Sequence, residues 1–166
     1  MKFIFFITFL IFTQAANACD LTNIDIGKNF DEINLNEEKK NIILEIEVEN
    51  FIEKHFPLNL FCNDEYTNIF VEISSYQNKI FKVKYINTDN KKLNLIKFSK
   101  DKYFTNFKFD EENDKGKIKV LQFLTDTKYY YYTFSKSNNF FSEIFEIVDP
   151  NYNNIYTKDT FTDLEK

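Results

Sequence analysis

From Ile42 onward apolar and polar residues alternate with a period of two, in short runs separated by polar breaks. This pattern limits the fold more than any other feature of the chain. Leu44, Ile46 and Val48 alternate with Glu45, Glu47 and Glu49. Successive side chains of an extended segment point to opposite sides, so this run predicts a half-buried strand with a charged outer face. Similar runs follow at 68–75, 80–86, 93–98, 103–109, 117–124, 129–134 and 140–148. Strand-like runs about twelve residues apart predict an antiparallel β-meander, because consecutive strands tend to lie side by side. Seven or eight such strands would make a curved sheet, a barrel or a sandwich. The expected fold class is therefore mainly β. The stretch 93–104 reads two ways: Leu93, Ile96 and Tyr103 also fit one face of a helix, which would make the fold α+β.

Only two Gly and two Pro occur in 166 residues, so turns fall to Asn, Asp and Lys. Asn tolerates the left-handed backbone that tight turns need. Tyr76-Gln77-Asn78-Lys79 is accordingly a hairpin signal with Asn78 at the turn. The segment 51–63, around Pro57, reads as irregular. Ahead of the strands, 21–40 is the one helical entry. Asn29 is placed to cap it, with Glu32 three residues on reaching back, and the thin apolar face beyond Ile33 predicts a short helix.

The first 18 residues have a different character. Lys2 precedes an apolar stretch over 3–12, Thr13 and Gln14 turn polar, and Ala16-Asn17-Ala18 is an A-x-A cleavage motif. This is the pattern of a secretory signal peptide. Its apolar part is about ten residues, half of what a bilayer-spanning helix requires. The expected mature chain is residues 19–166, one globular domain with a polar C-terminal tail from about 150, secreted or periplasmic and without a membrane span. Cys19 follows the cleavage motif directly. A lipid anchor there is the alternative, although Ala16 stands where bacterial lipoboxes usually carry Leu. The other cysteine is Cys62. An even count in an exported chain favours a Cys19–Cys62 disulfide, which would contribute up to about 4 kcal/mol through loop entropy.

The formal charge is −5, spread along the chain. Nucleic acid and anionic membranes both demand a basic patch, so neither is expected as a partner. Every basic residue other than the single His is Lys, and Phe and Tyr are abundant. This usage follows AT-rich codons, so the aromatics are weighed first as composition.

No residue pattern points to a cofactor, a metal or a catalytic centre. His55 is the only histidine; a nucleophile–His arrangement would have to run through it, and no nucleophile signature accompanies it. Asp110-Glu111-Glu112-Asn113-Asp114-Lys115-Gly116 suggests a calcium loop but lacks Gly at the sixth and Glu at the twelfth position; a solvated hairpin loop is expected. Tyr129-Tyr130-Tyr131-Tyr132 is the most distinctive run. On a strand, Tyr129 and Tyr131 face one side and Tyr130 and Tyr132 the other. One pair would enter the core, and the other would present an aromatic, polar-tipped binding surface.

The sequence thus points to a small exported binding or interaction module that acts on a protein or a small apolar ligand. An exported hydrolase using paired carboxylates, or a surface, structural or antigen-like protein, are the alternatives.

Overall fold

The computed structural model describes residues 21, 24–33, 44–62, 66–89, 94–113, 118–137 and 140–151. Residues 1–18 of the expected signal peptide, Cys19, residues 34–40 of the expected helical entry, residues 114–117 of the expected hairpin loop and the expected tail beyond 151 lie outside them.

Eight strands form one antiparallel sheet: β1 (Leu44–Val48), β2 (Phe51–Pro57), β3 (Ile69–Tyr76), β4 (Lys79–Asn87), β5 (Phe109–Asn113), β6 (Ile118–Leu124), β7 (Tyr129–Ser137) and β8 (Phe140–Val148). Their order across the sheet is β1-β2-β3-β4-β8-β7-β6-β5. The mainly-β expectation holds, as an open sheet rather than a barrel. It is not one continuous meander. Two four-stranded meanders meet where β4 pairs with β8, Lys84 opposite Glu146 and Tyr85 opposite Phe145. The ambiguous stretch becomes helix α1 (Leu95–Tyr103), which carries the chain from the middle of the sheet to its far edge.

The helix forms there because Leu95, Phe98 and Ser99 fall at i, i+3 and i+4 and are buried together. The Phe98 ring lies 4.9 Å from Tyr85 and 5.3 Å from Tyr66. Tyr103 packs 5.5 Å from Phe145 and hydrogen-bonds Tyr85 through their hydroxyls. Burial of each such ring contributes about 1.5–3 kcal/mol. Burial also raises the Tyr85 and Tyr103 hydroxyls well above the ordinary tyrosine pKa, so both stay neutral. The helix start is capped from another element. Asn94 makes no side-chain cap; instead the buried carboxylate of Glu143 on β8 accepts the backbone N–H groups of Asn94 at 2.8 Å and Ile96 at 3.0 Å. The same carboxylate accepts the Asn87 amide at 2.8 Å and the Tyr132 hydroxyl at 3.1 Å.

Several expectations are corrected. Among the described residues, the helix expected after Asn29 is a 3-10 turn, Phe30–Glu32. Its first two backbone donors are taken by the β3–β4 turn: Phe30 N–H bonds the Asn78 carbonyl, and Asp31 N–H bonds the Asn78 side chain. Asn29 and Glu32 do meet, side chain to side chain rather than through the backbone. Residues 51–57 form a full strand rather than an irregular segment, since Pro57 falls at the strand's last residue, where a missing donor is tolerated. The Leu44–Val48 strand is exposed at every position instead of half-buried. It is an edge strand, with Leu44, Ile46 and Val48 at 46%, 39% and 61% exposure. Asp110–Asn113 belong to strand β5, paired with Leu121–Ile118, and not to a loop. The Tyr76–Lys79 hairpin is observed, with Gln77 at φ 48° and Asn78 at φ 63°, the two left-handed residues of a type I′ turn.

Two substitutions test this frame. Glu143→Gln places amide hydrogens against backbone and amide donors, and is expected to lower unfolding free energy by about 2–4 kcal/mol in urea titrations. Phe104 ends α1 at φ 51° and is 85% exposed, so its ring contributes little while its Cβ strains the left-handed cap. Phe104→Gly is expected to raise stability by about 0.5–1 kcal/mol, measured the same way.

Candidate functional site

On the face of the sheet opposite α1, strand register sets two transverse rows of largely polar side chains beside an apolar row in which Phe70, Ile86 and Ile144 lie opposite one another. In one row Glu53 lies opposite Ser74, Ser74 opposite Lys82, Lys82 opposite Val148, and Val148 opposite Tyr129. In the neighbouring row His55, Glu72, Lys84, Glu146 and Tyr131 follow one another in the same way. Each residue reaches this face because its strand alternates: Glu53-Lys54-His55, Glu72-Ile73-Ser74, Lys82-Val83-Lys84 and Tyr129-Tyr130-Tyr131 all place their outer members together.

At the β2–β4 end the rows make a compact ionic cluster. Glu72, 6% exposed, receives Lys82 at 2.8 Å and Lys84 at 3.1 Å. Lys82 also lies 3.5 Å from Glu53. The Ser74 hydroxyl donates to Glu53 at 2.9 Å. His55 Nε2 stands 3.1 Å from Glu53 Oε1 and 3.8 Å from Glu72 Oε2. Burial by itself would raise the Glu53 carboxyl. The hydrogen bonds from His55 and Ser74, with the charges of Lys82 and His55, outweigh it and hold Glu53 below the ordinary glutamate range.

At the β7–β8 end lies a groove of about 420 Å³ lined by Lys82, Tyr129, Tyr131, Glu146, Val148, Asp149 and Pro150. The Tyr129 and Tyr131 rings are 6.1 Å apart and tilted. Partial burial, with Tyr129 and Glu146 close by, raises the Tyr131 hydroxyl. Tyr130 and Tyr132 lie in the core; burial, reinforced in Tyr132 by Glu143, raises both hydroxyls. The four tyrosines therefore divide as the alternation requires, with the odd-numbered pair on the groove. Lys82 belongs to both the groove and the ionic cluster.

Cys62 is buried in the core, its N–H bonded to the Leu58 carbonyl at 3.0 Å. Its proposed partner Cys19 lies outside the described residues. The His55 cluster is not legible along the chain, because Glu72, Lys82 and Lys84 join it only through register. The local signal was Glu53-Lys54-His55, two metal-ligating or acid–base side chains on one side of a strand. Glu143 was also missed: it sits at an inward position of β8, with Phe145 and Ile147, and that polar break was its only mark. Among the described residues no helix is long and apolar enough to cross a membrane. No protein-family profile, curated protein or solved structure matches the chain.

The depressed Glu53 pKa has a definite sign. A carboxylate with a lower pKa in the folded state stabilises fully above the unfolded value of about 4.3, and that stabilisation is lost as pH falls through the folded value. Glu53→Gln is therefore expected to flatten the acid side of the stability–pH curve below about pH 4.3. Thermal melts across this range measure it.

Proposed function

We propose that the chain is an exported, non-enzymatic binding protein whose docking surface is the Tyr129–Tyr131 groove. The observation that carries this reading is the placement of two half-buried tyrosines beside Lys82 and Glu146 on the face away from the core. Tyrosine offers a large rigid contact area with a polar tip, the combination enriched at protein interfaces. A groove with a cation, two acids and two aromatic rings favours a protein segment over a small apolar ligand, which would leave those charges desolvated without partners.

Export through the signal over 1–18 and a Cys19–Cys62 disulfide belong to the same proposal. Burial of Cys62 supports the bond, since a structural cysteine in an exported chain is best paired. It would tie the new N-terminus to the turn after Leu58–Leu60.

A second reading, a carboxylate-based hydrolase, draws on Glu53 and Glu72, which share one face with oxygens within 4.8 Å of each other. Such enzymes need one carboxyl protonated near neutral pH. Glu53 is held below the ordinary range, and Glu72 is salt-bridged to two lysines, so the binding reading is favoured.

Two measurements test the proposal. Intact mass of the exported protein is expected to show cleavage after Ala18 and a gain of two hydrogen atoms on reduction. A diacylglycerol on Cys19 with a free Cys62 thiol would replace the disulfide by a lipid anchor. For the groove, mature protein is used as bait against surface and secreted proteins of the source cells, beside a Tyr129→Ser/Tyr131→Ser variant of matched melting temperature. A partner held by the wild type and at least ten-fold more weakly by the variant, about 1.4 kcal/mol or more, supports the reading. Equal retention by both removes the groove as the docking surface.

A further inference from the structure

The ionic cluster at the other end of the same face has a geometry of its own, independent of the tyrosine groove. Glu53, His55 and Glu72 converge from two adjacent strands, with one ligand atom of each within 4.8 Å of the other two. The two separations to His55 are 3.1 and 3.8 Å. Ligand atoms bound at 2.0–2.2 Å to one tetrahedral zinc ion lie about 3.4 Å apart. The two separations to His55 thus already stand near the spacing that a single small ion would impose. We propose that Glu53, His55 and Glu72 are the ligands of a divalent transition-metal site of the zinc type.

The donor set selects the class of ion. Imidazole suits zinc and its neighbours, whereas calcium and magnesium call for all-oxygen shells. Three protein ligands leave one position open to water, on a face that is partly exposed. The ligands are also held from outside. Lys82 contacts the opposite oxygens, Glu72 Oε1 and Glu53 Oε2, and Ser74 donates to Glu53 Oε2. These outer contacts orient both carboxylates towards His55 and do not compete for the metal-facing atoms.

One group does compete. Lys84 donates to Glu72 Oε2 at 3.1 Å, the same oxygen that faces His55. Its side chain is 24% exposed, and its cross-strand neighbour on β8 is Glu146. On metal binding the Lys84 ammonium leaves Glu72 for water or Glu146, and the incoming cation takes over its charge. His55 then coordinates through Nε2 with its remaining proton on Nδ1, so uptake of the ion shifts the tautomer or releases a proton.

The test uses the untagged protein, because His55 is the only histidine of the chain and its imidazole signals are therefore unambiguous. Zinc chloride is titrated by calorimetry and by imidazole NMR, with calcium chloride as control. One zinc per chain is expected, with displacement of the His55 resonances by zinc and not by calcium. His55→Ala and Glu72→Gln are each expected to weaken binding at least ten-fold, and Lys84→Met to tighten it several-fold. Zinc binding that leaves the His55 signals in place overturns the site, and this readout stands even if His55→Ala fails to fold. Equal zinc affinity in wild type and His55→Ala, or no tightening in Lys84→Met, overturns it as well.

Discussion

The Glu143 carboxylate is the interaction on which the remainder of the structure depends. It is 1% exposed and yet carries four hydrogen bonds, from Asn87, Asn94, Ile96 and Tyr132. An isolated charge at that depth would be prohibitive, so the site exists only with all its donors present. Those donors come from the end of β4, the start of α1 and the neighbouring strand β7. One side chain therefore joins the two meanders at their seam and seats the helix that connects them. The positive end of the helix dipole adds to the attraction.

With α1 seated, the sheet acquires two unlike faces. On the inner face Tyr85, Phe98, Tyr103, Tyr130 and Phe145 form a continuous aromatic cluster with centroid separations near 5–6 Å. The N-terminal segment completes this face. Gly27, at φ 83°, lets the chain turn so that its N–H meets the Ile80 carbonyl, and Phe30 enters the core. Lys128 reaches Asp25 and ties the segment to the β6–β7 turn. The outer face is left to side chains that pair across strands, and it holds both the ionic cluster and the tyrosine groove.

Lys82 gives these two features a common member. Its ammonium bridges Glu53 and Glu72, and the residue also lines the groove with Tyr129 and Tyr131. Partly buried ion pairs of this kind are weak contributors to stability but strong determinants of geometry, because removing one partner strands the others.

Much of the architecture is legible along the chain. The period-two runs of β4, β6, β7 and β8, the Gln77–Asn78 turn and the division of the four tyrosines follow from local rules, since alternation and turn chemistry act over a few residues. Other features are not local. Whether Leu95–Tyr103 is helix or strand depends on a carboxylate 40 or more residues away that accepts its first backbone donors. Whether Leu44–Val48 is half-buried or an exposed edge depends on what lies against it, which alternation alone cannot state. The meeting of Glu53 and His55 with Glu72, Lys82 and Lys84 depends on register, and a shift of one residue would send each side chain to the other face. The sequence by itself determined that the chain is β-rich and which side chains share a face within each strand. Only the tertiary structure decided which strands became neighbours, because pairing order is set by long-range contacts such as those of Glu143, and with it which charged groups stand together.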